Sequence, residues 1–319
     1  MAVRSVVLGA GGFIGANLQH RLIELGDEIT GFDINMPRFR QNTFIGIDAP
    51  SCIIGADLRN LDAVHKAFRG ADRVFHLAAD MGGVGYFHSD ADLLASLDNG
   101  LITANVMRVA ADTGTPTFYA SSACAYPTEL MMTEGAPPLF TEDMVGHGTP
   151  DALYGAEKLH GLRIAAKIPN VRVGILDTVY GPLQEHEGRR MKFPAAVTTK
   201  ALAARQTGRL ELWGDGSQMR CYLYVDDAID RIMRIMDADH YAGPVNVAGS
   251  GAVTCRDVAE MVLDIVGADA DIVTNPAEPS GALARECDST KFRRLYGPTT
   301  ETSLRDGFTK FAEWLEGGP

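Results

Sequence analysis

A glycine-rich turn near the start of the chain constrains its fold more than any other feature. Residues 6–8 form a short apolar run, glycines follow at positions 9, 12 and 15, and apolar residues then recur at helical spacing. A strand, a glycine turn and a helix in this order allow the backbone to approach a pyrophosphate, which binds at the helix N-terminus. The alternative is a tight turn without a ligand. The pattern predicts a dinucleotide-binding unit.

An acidic residue after the next predicted strand indicates which dinucleotide binds. That strand covers residues 28–32, and Asp33 follows it, where a carboxylate can accept hydrogen bonds from an adenosine ribose. A carboxylate at this point would repel a 2′-phosphate, so NAD is favoured over NADP. Arg38 and Arg40 lie close enough downstream to keep NADP open as an alternative.

Strands and helices continue to alternate along the first half of the chain. Apolar strands are predicted at residues 52–54, 73–77, 117–120 and 171–175, with helical patterns between them. This alternation implies a parallel sheet whose ligands gather at the carboxyl ends of its strands. We expect an α/β fold, namely a Rossmann-type doubly wound parallel sheet with a smaller C-terminal α/β substrate domain.

The longest predicted helix runs from about residue 90 to residue 113. Leu94, Leu97, Leu101 and Ala104 recur on it at helical spacing. We expect this stripe to face inward.

Length and composition limit the organisation and the partners. A chain of 319 residues fits two domains of ordinary size, and we expect a cofactor domain over 1–182 and a second domain mainly over 183–319. The formal net charge of −12 argues against nucleic acid or an anionic membrane surface as a partner. Five scattered cysteines without a CxxC pair suggest neither a disulfide framework nor a metal site. No signal peptide or 18-residue apolar run is present, so a cytoplasmic protein is expected.

A tyrosine and a lysine four residues apart suggest chemistry at the sheet edge. Tyr154 and Lys158 would share one face of a helix, and a nearby ammonium favours the phenolate form of a tyrosine. Ser122, at the end of a predicted strand, could hydrogen-bond the same substrate oxygen. Such a trio can remove a proton from an alcohol while a hydride leaves its carbon. An ordinary surface pair is the alternative reading of this spacing.

Taken together, these motifs resemble the extended short-chain dehydrogenase/reductase family along essentially the whole chain. The resemblance implies bound NAD, a nucleotide-linked sugar as substrate, a homodimer, and a return of residues 222–248 to the cofactor domain. The runs at 78–85, 121–127, 188–196 and 213–216 narrow it to the family's nucleotide-sugar 3,5-epimerases, which implies GDP-mannose as the substrate. The cofactor-binding residues it implies are Gly9, Gly12, Phe13, Ile14, Gly15, Asp33, Asp57, Leu58, Leu77, Ala79, Tyr154 and Lys158.

The same resemblance implies an acid and a base for epimerisation. Oxidation of a sugar C4 hydroxyl to a ketone makes the protons at C3 and C5 acidic, and inversion then needs a base on one ring face and an acid on the other. Cys124, two residues past Ser122, and Lys192, on a different segment, are the expected pair. Without the resemblance, Cys124 would be read as a small buried hydrophobe and Lys192 as a solvated amine.

Further residues are expected to contact the substrate. The glycine-rich run after Met81 is expected to line the sugar by its backbone, with a flexible loop as the alternative. Arg220 and Arg285 are expected to hold the diphosphate, because guanidinium forks suit phosphate oxygens. Asn99 is expected near the active site, and Asn105 in helix packing. The candidate substrate-binding residues are Met81, Gly82, Gly83, Ser122, Cys124, Thr178, Lys192, Trp213, Arg220 and Arg285, although packing is an alternative for Trp213.

Several functions stay open at this point. A 4,6-dehydratase needs an acidic pair after its active-site serine, where this chain has Ala123 and Cys124. A 4-epimerase would have no use for Cys124 and Lys192. A non-catalytic NAD-binding sensor or scaffold would not need Ser122 and the tyrosine–lysine pair. For an epimerase, inversion at C3, at C5 or at both remains open.

Overall fold

The computed structural model describes residues 2–35, 52–87, 89–133 and 138–317. Arg38 and Arg40, which keep NADP open as an alternative cofactor, lie outside these ranges.

The first half of the chain builds the predicted sheet. Its strands and longer helices alternate along the sequence, as the apolar pattern predicted. They are β1 (Arg4–Leu8), α1 (Phe13–Glu24), β2 (Glu28–Asp33), β3 (Cys52–Gly55), α2 (Leu61–Phe68), β4 (Arg73–His76), α3 (Val84–Phe87), α4 (Ala91–Thr113), β5 (Thr117–Ser122), α5 (Thr128–Met131), β6 (Leu139–Phe140), α6 (Ala152–Ala165), β7 (Val171–Leu176) and β8 (Thr178–Tyr180).

The second half adds shorter strands and four long helices. These elements are α7 (Phe193–Thr207), β9 (Arg209–Trp213), β10 (Met219–Arg220), β11 (Tyr222–Tyr224), α8 (Val225–Asp237), β12 (Val245–Val247), β13 (Val253–Thr254), α9 (Cys255–Val266), β14 (Asp271–Asn275), β15 (Ala284–Cys287), α10 (Thr290–Tyr296) and α11 (Leu304–Gly317).

The main sheet has seven strands in the order β12-β7-β5-β4-β1-β2-β3. Every neighbouring pair in it is parallel. The order reverses direction at β1 and β4, and ligands of such sheets bind at that switch point, beyond the carboxyl ends of the strands. The predicted Rossmann-type fold is confirmed.

Three smaller sheets lie outside the main sheet among the described residues, and two of them combine strands from both halves of the chain. One has the order β13-β10-β15-β6, and the pairs β11-β8 and β14-β9 stand apart. Because β12 comes from the second half yet forms one edge of the main sheet, the chain returns to the cofactor-side sheet after leaving it. The domain limits at residues 182 and 183 stay a prediction.

The predicted inward stripe on α4 is wrong. The exposed fractions of Leu94, Leu97 and Leu101 are 67%, 61% and 48%, and Ala104 is exposed as well. Over residues 91–103 of α4 the buried face carries only small and polar residues, namely Asp92, Ala95, Asn99 and Thr103. Helix α6 packs closely there, since a Cβ added at Gly161 would lie 2.9 Å from Thr103 Cγ2. Large leucines do not fit at so short a separation, so they lie on the opposite side of the helix.

No helix within the described ranges combines the length and the apolar character that a membrane crossing requires.

Candidate active site

A tight turn after β5 brings the first catalytic candidates together. The Ser122 Oγ accepts a hydrogen bond of 3.2 Å from the Cys124 backbone N–H, which fixes a single 3₁₀ turn over Ala123–Ala125. Helix α6 rests directly on this turn, since a Cβ added at Gly155 would lie 2.2 Å from the Cys124 carbonyl oxygen. The absence of a side chain at Gly155 therefore allows Tyr154 to lie beside Ser122 and Cys124.

The tyrosine and the lysine of α6 are both buried. The Lys158 ammonium lies 5.6 Å from the centre of the Tyr154 ring and 3.5 Å from a carboxylate oxygen of Glu157. Burial raises the pKa of Tyr154, and the nearby Cys124 and Glu157 add to this effect, while the hydrogen bond with Ser122 opposes it. The sequence had predicted that Lys158 lowers this pKa. The Glu157 carboxylate pairs with the ammonium and offsets its effect on the phenol.

Lys192 lies just before α7 and lines one cavity with Ser122 and Tyr154. Cys124 is close enough to affect the pKa of Lys192 but does not line that cavity. The pKa of Lys192 is lowered to about 8, chiefly by burial and in smaller part by Arg285, whereas the nearby Cys124 and Asp177 act in the opposite direction. The side chain is partly buried, so the solvated amine that the sequence alone favoured is wrong. A lysine with this pKa can exchange a proton near neutral pH.

Arg285 contacts the thiol of Cys124. Its Nη1 lies 3.7 Å from the Cys124 Sγ, and its Nε donates a 2.9 Å hydrogen bond to the buried carboxylate of Asp177. The sequence predicted a diphosphate contact for Arg285. Its contacts within the chain are instead to the thiol and to Asp177, and the diphosphate contact stays a prediction.

A cluster of three side chains holds the Met81–Gly83 loop against the segment that carries Lys192. It consists of Asp80, Tyr86 and Arg190, and we call it the Asp80–Arg190 clamp. The Arg190 guanidinium pairs with Asp80 and donates a 3.0 Å hydrogen bond to the Tyr86 hydroxyl. The Tyr86 hydroxyl in turn donates to Asp80 over 3.0 Å. A Cβ added at Gly83 would lie 2.1 Å from the Met191 carbonyl oxygen, so the two loops touch by their backbones.

The clamp brings the Lys192 side chain to the glycine loop. Lys192 Nζ lies 3.8 Å from Met81 Sδ. The Met81–Gly83 loop is therefore held in place by the segment around Lys192. A loop that lines a sugar needs such support, and a flexible surface loop would lack it.

A cavity of about 450 Å³ extends from the glycine turn to Lys192. Its turn is shaped for a close ligand: Gly9 has a φ of +86°, and a Cβ added at Gly15 would lie 2.1 Å from the Gly9 carbonyl oxygen. The Asp33 carboxylate accepts a 2.8 Å hydrogen bond from Gly11 N–H, so it lies at the turn where a ribose is expected. The residues fit a dinucleotide. All twelve predicted cofactor residues line this cavity, together with Ser122, Met81, Gly82 and Lys192.

Other predicted residues lie beside the cavity or away from it. Thr178 donates a 3.3 Å hydrogen bond to Asp177, and Arg220 donates to the Met219 and Ala282 carbonyl oxygens. Burial lowers the pKa of Arg220. Trp213 is half-exposed and packs near Gly85, where an added Cβ would lie 3.3 Å from its ring.

The two asparagines of α4 have the separate positions that were predicted. Asn99 is buried and bonds both the backbone N–H and the carbonyl oxygen of Asp80, at 2.6 and 2.8 Å. It therefore fixes the start of the Met81–Gly83 loop. Asn105 donates to the carbonyl oxygens of Leu58 and Arg59, which is a packing contact.

Sequence reasoning missed three charged residues of this region: Asp80, Asp177 and Arg190. Asp177 directly follows β7, at the sheet edge where ligands were expected, so its position was a usable signal. Asp80 and Arg190 lie in the runs 78–85 and 188–196, but nothing in the sequence indicates that they pair. Among the described residues, no group of three or more His, Cys, Asp or Glu side chains is arranged to hold a metal ion.

Comparison with known proteins agrees with this geometry. The model of the NAD dependent epimerase/dehydratase family matches residues 5–248. GDP-mannose 3,5-epimerase 1 of Oryza sativa subsp. japonica is 32% identical over 98% of this chain and 82% of its own length. GDP-mannose 3,5-epimerase of Arabidopsis thaliana is 30% identical over 97% of this chain and 81% of its own length.

A solved structure shows the same fold. The UDP-glucuronic acid 4-epimerase from Bacillus cereus, in complex with UDP-glucuronic acid and NAD, superimposes with a TM-score of 0.82 at 21% identity, covering 99% of each chain. The family match spans most of the chain and includes both the glycine turn and the Tyr154–Lys158 pair. The chain belongs to the NAD dependent epimerase/dehydratase family, and NAD is its cofactor.

Proposed function

We propose that this protein is a nucleotide-sugar epimerase that acts on GDP-mannose and inverts C5, or C3 and C5, through a transient 4-keto sugar. The observation that carries the proposal is the grouping of Cys124, Lys192 and Arg285 beside Ser122 and Tyr154. A 4-epimerase needs only Ser122, Tyr154 and Lys158. The Cys124 thiol and the Lys192 amine add a base and an acid for the carbons next to C4, and the pKa of the amine is lowered.

The first step is removal of the C4 hydroxyl proton. Ser122 and Tyr154 would hold the sugar oxygen, and the Tyr154 oxygen would take its proton. Bound NAD supplies the acceptor for the C4 hydride, and later its return. Tyr154 can take this proton only as a phenolate, so its own proton must first pass to solvent. Burial and the Glu157 carboxylate disfavour that phenolate, and the positive charge of Lys158 stabilises it.

The second step exchanges a proton at a carbon next to the ketone. The thiolate of Cys124 removes the proton, and the electron pair of the C–H bond becomes the enolate. The Lys192 ammonium then returns a proton to the opposite ring face. With a pKa of about 8, Lys192 is mostly protonated at neutral pH, so it is assigned as the acid and Cys124 as the base.

The choice of GDP-mannose rests on the relatives and on the sugar-lining residues. Two plant proteins that are similar to this chain over nearly its whole length are named GDP-mannose 3,5-epimerases. We assign the sugar to the Met81–Gly83 loop and to Thr178, and the nucleotide diphosphate to Arg220, with Trp213 at its rim. Arg285 contacts Cys124. We also keep the predicted contact of Arg285 with the diphosphate, so this side chain has two proposed roles.

We infer a homodimer that buries the exposed leucines of α4. Leu94, Leu97 and Leu101 recur at positions i, i+3 and i+7, which form one apolar stripe on a helix. Leu153, at the start of α6, is also exposed, so the stripe extends onto the neighbouring helix. We place the protein in the cytoplasm, because its four described cysteine thiols are unpaired.

The test is incubation with GDP-mannose and NAD in deuterium oxide, followed by NMR of the sugar. Deuterium at C5, or at C3 and C5, with inverted configuration there, supports the proposal and counts the inverted carbons. UDP-glucose and UDP-glucuronic acid serve as comparison substrates. Inversion at C4 without deuterium at C3 or C5 would indicate a 4-epimerase, and loss of water from the sugar a dehydratase. Binding of NAD and nucleotide sugar without any turnover would indicate a sensor.

A further inference from the structure

Asp177 has a buried carboxylate that the proposed chemistry does not use. Its side chain has an exposed fraction of 0%, and it lies at the carboxyl end of β7. Three groups donate to it: the Arg285 guanidinium over 2.9 Å, the Cys221 thiol over 3.0 Å and the Thr178 hydroxyl over 3.3 Å. A buried charged carboxylate destabilises the folded protein unless a partner of opposite charge compensates it, and Arg285 is that partner.

The two contacts of Arg285 point in different directions. Both Nε and Nη2 lie 2.9 Å from the same oxygen of Asp177. A guanidinium is planar and rigid, so fixing these two nitrogens also fixes the third. That third nitrogen, Nη1, is the one that lies 3.7 Å from the Cys124 Sγ.

We propose that Asp177 is a positioning residue, which holds the Arg285 guanidinium against the sulfur of Cys124 so that the thiolate base of the reaction is stabilised. This inference rests on the proposed role of Cys124. Without Asp177, the long Arg285 side chain would lose its anchor and could turn towards solvent or towards the diphosphate. The Asp177 carboxylate would therefore determine whether Arg285 contacts the Cys124 sulfur or the nucleotide diphosphate.

Two other roles for Asp177 predict different behaviour. If Asp177 only filled the core, its replacement would lower stability without changing the reactivity of Cys124. If it acted only as an opposing negative charge, its neutralisation would leave Arg285 in place and strengthen its effect on the thiolate. The direction of the change in thiol reactivity therefore separates the three roles.

The experiment measures alkylation of Cys124 by iodoacetamide at one fixed neutral pH, in the absence of any sugar nucleotide. The thiolate is the form that reacts, so the rate reports how well the thiolate is stabilised. Mass spectrometry of the peptide that contains Cys124 gives the rate for this thiol alone, and Cys124→Ser provides the blank. We expect the rate to fall about tenfold in Asp177→Asn, because an opposite charge within hydrogen-bond range has an effect of this order on an ionisable group.

Three further variants complete the test. Arg285→Gln should lower the rate by a similar factor, and Asp177→Asn combined with Arg285→Gln should lower it no more than Arg285→Gln alone. Asp27→Asn is the matched control, since it breaks another buried carboxylate–arginine pair, Asp27–Arg73, far from the thiol. It should lower the unfolding temperature and leave the alkylation rate unchanged.

An unchanged or increased rate in Asp177→Asn, with the protein still folded, would overturn the proposal. The measurement needs no substrate, so its result is independent of whether GDP-mannose is turned over. If the alkylation rate falls in Asp177→Asn but the wild-type protein has no epimerase activity, the proposed function is contradicted. The positioning of Arg285 against Cys124 by Asp177 is then still supported.

Discussion

The guanidinium carbon of Arg190 lies 4.2 Å from the centre of the Tyr86 ring, stacked over its face. The same guanidinium pairs with Asp80 and donates to the Met81 carbonyl oxygen over 3.1 Å. Arg190 comes two residues before Lys192, so these contacts restrain the backbone from which the lysine side chain extends. An ion pair that is partly open to solvent adds little stability, and its main effect here is therefore on geometry.

Replacement of Arg190 by Met should lower kcat/KM about 10- to 100-fold, because a displacement of about 1 Å in a catalytic group has an effect of this size. The unfolding temperature should change by only a few degrees. Initial rates with GDP-mannose and a thermal unfolding curve check both. Arg209→Met, which removes an exposed arginine near Glu211, is the control and should keep full activity. Equal losses in the two variants would show that the clamp has no part in positioning Lys192.

The lowered pKa of Lys192 predicts a pH dependence. A general acid must be protonated, and burial lowers the pKa of this amine to about 8, so kcat/KM should fall as the pH rises through about 8. In Lys192→Arg this decline should be absent, since a guanidinium stays protonated, although the overall rate will be lower. A rate that increases above pH 8 would instead assign Lys192 as the base.

The residues that local motifs assigned to the cofactor all line one cavity, and their contacts with the cofactor stay a prediction. The glycine turn, Asp33, Ser122 and the Tyr154–Lys158 pair each depend on spacing within one strand–turn–helix unit or one helix. Such spacing is readable because helices and strands have fixed periods. The main sheet followed from the alternation of the same units.

Contacts between distant segments could not be predicted in this way. Arg285 and Cys124 are separated by 161 residues, and Arg190 and Asp80 by 110. Which side chains meet across such separations depends on the topology of the small sheets. The α4 leucines show a related limit: periodicity identifies an apolar stripe, but it does not say whether the same chain covers it.

Gly155 should tolerate no side chain. Gly155→Ala places a Cβ 2.2 Å from the Cys124 carbonyl oxygen, so the turn or the helix must shift. We expect a loss of about 1–3 kcal/mol in the free energy of unfolding, together with a strong loss of activity. The matched control is Gly100→Ala on α4, where an added Cβ would lie 3.9 Å from Glu157 Cγ, an ordinary van der Waals contact. That helical change should stabilise by about 0.5–1 kcal/mol. Similar unfolding curves for the two variants would contradict the close contact.

The exposed stripe of α4 should control assembly. Leu97→Glu puts a charge in the middle of the stripe, and we expect the inferred dimer to dissociate into monomers in size-exclusion chromatography with light scattering. Leu25→Glu is the control, because Leu25 is 50% exposed at the end of α1, away from the stripe. A wild-type protein that is already monomeric would rule out this interface.

The most direct measurement compares the wild-type protein with Cys124→Ser during turnover of GDP-mannose in deuterium oxide, using mass spectrometry of the recovered sugar nucleotide. The wild type should gain deuterium on carbon next to C4, with no net consumption of NAD. Cys124→Ser should gain little or none, while it still oxidises C4, as seen from the absorbance of reduced cofactor. Equal deuterium uptake by both proteins would contradict the assignment of Cys124 as the base that inverts the sugar.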